Sequence, residues 1–95
     1  MAEFEARMGA LRERFVARAR GEAKLVAVYA GNNDRTALSD LCHSLAGTAG
    51  MFGFSALGEA ARKVEDAIDW NAAEERLQGL VGELLGEAGR LPQGR

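Results

Sequence analysis

Apolar residues recur along the chain at intervals of three and four, the period of one helical face, in four separate runs. The first run, Phe4, Met8, Leu11 and Phe15, continued by Ala19, Ala23, Val26 and Ala30, predicts one long helix to about Tyr29. Gly21 is its weak point, because an interior glycine costs ~1 kcal/mol relative to alanine, and a kink or break would fall there. Gly31-Asn32-Asn33-Asp34 is the clearest punctuation, with glycine suited to end one helix and Asn33 or Asp34 suited to cap the next. A second helix then runs from about Arg35 to Met51 or Phe52, with Leu38, Leu41, Cys42, Leu45, Ala49 and Phe52 on its inner face.

Gly53 and Ser55 mark the following boundary, and Ser55 is suited to cap a third helix whose inner face is Leu57, Ala60, Ala61, Val64 and Ile68. That helix ends near Asp69 or Trp70. Asn71-Ala72-Ala73-Glu74 has the spacing of a capping box, with Asn71 as the cap and Glu74 reaching back. The fourth helix carries Leu77, Leu80, Val81, Leu84, Leu85 and Ala88, and Gly89 to Arg95, containing Pro92, reads as a frayed tail. Four amphipathic helices with short connections can bury their stripes only against one another. The pattern therefore predicts an all-α fold, an antiparallel up-down-up-down four-helix bundle forming a single domain over residues 1–95.

Composition narrows the picture without changing it. A chain of 95 residues supports one modest core and no large cleft, and 47% hydrophobic content with a single proline favours helices. A net charge of −2 lacks the dense basic face of a nucleic-acid binder, so no nucleic acid is expected as a partner. No apolar run approaches the length of a membrane span and the start M-A-E-F-E-A-R is unlike a signal peptide. A single cysteine cannot form an internal disulfide, so a cytoplasmic protein without membrane contact is expected. A bundle of this size can bury its stripes alone, and a monomer is expected.

The one histidine, His43, changes the picture most. At ~100° per residue it falls roughly 140° from the centre of the second helix's inner face. Around it on the outer side the wheel places Ser39, Ala46, Gly47 and Gly50, a surface stripped of bulk. Gly47 and Gly50 each cost ~1 kcal/mol relative to alanine inside a helix, a cost that makes sense if another protein must come close to the imidazole. On the third helix Glu65 sits at the edge of the buried stripe. If that edge faces the second helix, its carboxylate accepts a hydrogen bond from the Nδ1–H of His43, fixing the tautomer and leaving Nε2 outward as a nucleophile. The plainer alternative pairs Glu65 with Arg62.

The run His43-Ser44-Leu45-Ala46-Gly47-Thr48-Ala49-Gly50-Met51-Phe52-Gly53, with Leu57 and Val64-Glu65 beyond it, resembles the signature of histidine-containing phosphotransfer (HPt) domains. That signature is H-x-L-K-G-x-A, then glycine, leucine and a leucine-glutamate pair at set distances. The resemblance implies that His43 is the phospho-acceptor and that Glu65 orients its imidazole. It implies a docking surface of Ser39, Ala46, Gly47, Gly50, Gly53 and Arg62, kept open by the glycines. The implied partners are receiver domains of response regulators or hybrid histidine kinases, with phosphate passing from one receiver aspartate to His43 and on to another. No cofactor is implied in this chain, since Mg2+ belongs to the partner receiver. One departure from the signature matters. Ala46 stands where the family usually has lysine, a mobile point charge beside the phosphoryl oxygens, and Arg62, then Arg35, are the candidates to replace it.

Other readings fit less well. Cys42 and His43 point ~100° apart and no further His or Cys completes a metal or haem site. A kinase dimerisation domain would carry an acidic residue after the histidine, where this chain has Ser44. No glycine-rich nucleotide loop is present, so phosphorylation by ATP is not expected of this chain alone. Gly53-Phe54-x-x-Leu57 and Glu65 also resemble the phosphotransfer domain of chemotaxis kinases, leaving an excised domain of that kind as an alternative. A further alternative is a helical adaptor that binds receivers without transferring phosphate, favoured by Ala46 and opposed by His43 with Glu65.

Overall fold

A computed structural model describes residues 2–92. Four helices make up the fold: α1 (Ala2–Gly31), α2 (Arg35–Met51), α3 (Ser55–Asp69) and α4 (Glu74–Gly89). Each packs against the next and α4 closes back onto α1, the ring of contacts of an up-down-up-down bundle. The core is formed by residues such as Val26, Leu38, Leu45, Val64 and Leu84, all nearly inaccessible. No side-chain polar atom is left buried without a hydrogen bond among the described residues.

Three helix ends share one solution. After α1, α2 and α3 the chain turns through a left-handed residue, Asn33 (φ 56), Gly53 (φ 85) and Asn71 (φ 55). In each, the next amide reaches back five residues: Asp34 to the Tyr29 carbonyl at 3.0 Å, Phe54 to Ala49 at 2.9 Å and Ala72 to Ala67 at 2.8 Å. This is the Schellman arrangement, for which asparagine and glycine are the residues that tolerate the backbone. Two expectations change as a result. Asn71 closes α3 instead of capping α4, whose N-cap is Ala73 with no side-chain bond, and Ser55 is the first residue of α3, behind an N-cap at Phe54. Asp34 does cap α2, its Oδ1 accepting from the Ala37 amide at 3.1 Å.

The first helix is the one long element expected, and the weak point at Gly21 does not interrupt it. It runs unbroken through Gly21, because Ala19 and Val26 on either side are anchored in the core. The packing outweighs a penalty of ~1 kcal/mol. At 30 residues it is also nearly twice the length of its neighbours, ~45 Å at 1.5 Å per residue, which accounts for the 48 Å long axis of the molecule. Its stripe enters the core only at Phe15, which stacks on Phe52 and Phe54 with ring centroids 5.4 and 5.5 Å away. Phe4, Met8 and Leu11 lie on the overhang and are 65%, 38% and 44% exposed. At the level where the overhang begins, Arg12 donates to the Phe52 carbonyl at 3.2 Å and lies over the Phe54 ring.

The segment after α4 is not frayed up to Pro92. Leu91 is 4% exposed and belongs to the core, and Arg20 of α1 donates to the carbonyls of Leu91 (3.2 Å) and Pro92. The rest of the expected tail, 93–95, lies outside the described residues. Leu91→Ala is expected to lower stability by about 2–4 kcal/mol in urea unfolding. Leu11→Ala, on the overhang, should change it by less than about 1 kcal/mol; equal losses would contradict this division of the stripe.

Candidate functional site

The site lies between α2 and α3 and is set by how closely those helices approach. Gly58, on the inner face of α3, has no side chain to hold them apart. A Cβ at that position would lie 3.1 Å from the Ala46 carbonyl oxygen and 3.6 Å from both the Ala49 Cβ and the Gly50 nitrogen. Beside it Ala61 is wholly buried. Glu65 follows Gly58 by two helical turns and so shares its face. In this antiparallel register Gly58 meets Ala46, Ala49 and Gly50, and residue 65 opposes residue 43.

The register brings Glu65 to His43. Nδ1 of His43 is 2.7 Å from Oε2 of Glu65, short for a hydrogen bond and in the range of a charge-assisted one. With a carboxylate as acceptor, Nδ1 carries the hydrogen and donates. The histidine side chain remains 78% exposed while that of Glu65 is 21% exposed. Nε2 has no hydrogen-bond partner among the described residues. One edge of the ring is held and the other is free, so the geometry fixes the imidazole at Nδ1 and leaves Nε2 directed outward.

The surroundings follow the sequence reading in part. Gly47 and Gly50 are exposed, and a Cβ on either would meet nothing within 4 Å, so the surface on that side of His43 is open. Ser39 is half-buried. Ala46 contradicts the expectation: it is 6% exposed, facing α3. The wheel counted one inner direction, whereas α2 packs against both α1 and α3 and buries a wider arc. Gly53 stands three turns from His43, and its turn geometry, with φ 85, already requires glycine. Arg62 is exposed and 3.5 Å from Glu59 rather than on Glu65. Arg35 is committed to Glu74 of α4 at 3.3 Å, away from the imidazole.

Gly58 is the residue that sequence reasoning passed over. Its signal was present: a glycine inside the buried stripe of the third helix, next to Leu57 and seven residues before Glu65. Met51 was also missed as a surface group. It is 74% exposed, and with Gly50 it borders a shallow groove whose other wall is Phe4 and Met8 of the α1 overhang.

A family model for the Hpt domain matches residues 2–93 of the 95-residue chain. The chain belongs to the Hpt domain family. Searches of curated proteins and of solved structures gave no significant match. Hpt domains serve phosphotransfer in two-component signalling and work with receiver domains in phosphorelays. Within this Hpt domain no helix among the described residues is long and apolar enough to cross a membrane.

Cys42 adjoins His43 in sequence but points into the core, with no exposed surface. Burial, and secondarily the Glu65 charge, push its thiol up from 9.0 to about 12. A thiol held protonated is a poor nucleophile and a poor metal ligand. Cys42 is expected to resist a thiol-specific disulfide reagent at pH 8 in the folded protein and to react fully in urea. Since the unfolded thiol loses its proton near 9.0 and the folded one near about 12, the folded state holds the extra proton between these values. This contribution to stability is complete below pH 9 and is lost as pH rises toward 12, which chemical denaturation at a series of alkaline pH values would register.

Proposed function

We propose that this Hpt domain is a phosphorelay intermediate in which His43 accepts a phosphoryl group from a receiver-domain aspartyl phosphate and passes it to the aspartate of another receiver. The observation that carries this reading is the imidazole held at Nδ1 by Glu65 and exposed at Nε2. In the accepting step the Nε2 lone pair forms a bond to phosphorus as the phosphorus–oxygen bond to the aspartate breaks, and the carboxylate leaves with the electron pair. No proton has to move. The Nδ1–H remains on the ring, and the positive charge that develops on the phosphorylated imidazole faces the Glu65 carboxylate. Passing the group on reverses the same bonds on a second receiver.

A receiver brings its aspartate from the base of a bulky domain, so the acceptor must stand on a surface with little to obstruct approach. The open positions Gly47 and Gly50 supply this beside His43, and the exposed apolar side chains of Met51, Phe4 and Met8 continue the same side of the molecule. Arg62 is the candidate to replace the usual lysine, because it lies one turn along α3 from Gly58, which meets Ala46, and its only ion pair among the described residues is an exposed one at 3.5 Å. Such a pair is worth little and yields readily to a phosphoryl group.

Incubation with a phosphorylated receiver should place acid-labile label on the wild-type protein and none on His43→Gln. Label persisting in that variant would rule out His43, and a wild-type protein that binds receiver without taking label would favour the adaptor reading. Glu65→Ala should slow transfer roughly tenfold, corresponding to ~1.4 kcal/mol of barrier. Arg62→Ala should slow it about threefold, with rate restored by adding Ala46→Lys, since both long cations reach the same phosphoryl oxygens; an Arg62→Ala protein at the wild-type rate would remove Arg62 from the site.

A further inference from the structure

We infer that Gly58 is a positioning residue for phosphotransfer: by allowing α3 to approach the α2 backbone, it sets the helix separation at which Glu65 can hold the His43 imidazole. The inference rests on the reading of His43 and Glu65 given above and assigns a role to a residue that touches neither. Glycine is otherwise unfavourable here, inside a helix and on its buried face, where alanine would add both helix propensity and apolar contact. The other glycines within the helices leave a Cβ free of contacts within 4 Å, whereas at position 58 it would press on the Ala46 carbonyl oxygen at 3.1 Å. That neighbour is helix backbone, which cannot swing aside. The response open to the molecule is for α3 to move outward by a few tenths of an ångström.

Two turns along the same face, that displacement reaches Glu65. A 2.7 Å hydrogen bond from a carboxylate has no slack on the short side and lengthens directly with helix separation, weakening as it leaves the optimal range. The ring then turns about its own side-chain bonds and the Nδ1–H form is no longer enforced. Neither change needs the bundle to unfold, because Leu57, Ala61 and Val64 keep α3 in the core.

The test is Gly58→Ala in the full chain, with Gly86→Ala, on the exposed side of α4, as control. Nitrogen NMR of histidine-labelled protein reads the ring tautomer of His43. In Gly58→Ala the fraction of Nδ1–H should fall and transfer from a phosphorylated receiver should slow about three- to tenfold, the scale of sub-ångström misplacement, while helical content is retained. Gly86→Ala should change neither. The decisive comparison is the double variant: in a Glu65→Ala background Gly58→Ala should cause no additional slowing, because the two act through one contact. Additive losses, or an unchanged tautomer in a folded Gly58→Ala protein, would overturn the inference. If Glu65→Ala alone leaves transfer intact, the failure belongs to the underlying reading of Glu65. Should Gly58→Ala not fold, Ala49→Val presses on the same contact from the other helix, because the Ala49 Cβ stands 3.6 Å from where a Gly58 Cβ would lie, and a tautomer fraction unmoved by it would also overturn the inference.

Discussion

The separation of α2 and α3 is the constraint on which the rest of this Hpt domain depends. An exposed imidazole rotates about two bonds and exchanges its hydrogen between two nitrogens, so exposure and a defined nucleophile are opposing requirements. A second helix bearing a carboxylate resolves the conflict only if it stands within hydrogen-bond reach. Packed helices sit ~8–10 Å apart between axes depending on the side chains at the contact, and the lower end of that range needs small residues at the crossing. Gly58, Ala61, Ala46 and Ala49 are those residues.

Separation alone does not align His43 with Glu65, because two helices at fixed distance can still slide. The turn between them prevents this. Gly53 in the left-handed region lets Phe54 return its amide to Ala49 and delivers α3 in a single register. Phe52 and Phe54 flank the glycine and stack on Phe15, with Arg12 on the Phe52 carbonyl, so the long helix grips the turn from outside. The expected role for Gly53 was room for a partner. Its backbone geometry gives it a more immediate one, since another residue there would strain the turn that sets residue 65 opposite residue 43.

Much of this was legible in the sequence, for reasons that also mark the limits. Four stripes of period 3.6 sufficed for four helices and their antiparallel order, because each stripe needs cover and short connections allow one neighbour. Periodicity does not say what covers a stripe: it continues through Phe4, Met8 and Leu11, although the other three helices are too short to cover them. Asn71 was ambiguous because asparagine suits both a helix start and a left-handed helix end, and only the hydrogen bonds of Ala72 distinguish the two. Leu91 is held by Arg20, a partner 71 residues away that no local pattern contains. At the site, the spacing from His43 to Glu65 was readable as a possible pair, while Ala46 was misplaced because a single wheel has one inside and a helix in a bundle has two.

The correction at Ala46 alters the meaning of the missing lysine. A lysine at this position would start from a buried Cβ against α3 and run its stem out along the groove before its charge reached solvent, as long cationic side chains do. The cation would thus emerge at the edge of the helix packing. The Ala46 atom that meets Gly58 is its backbone carbonyl oxygen, so a lysine side chain would leave that contact in place. Alanine in place of the usual lysine is therefore independent of the close packing beside Glu65 and His43. Under the proposed function the charge is supplied from the opposite helix by Arg62, whose guanidinium is exposed and only loosely paired, whereas the approach of α3 to α2 rests on Gly58.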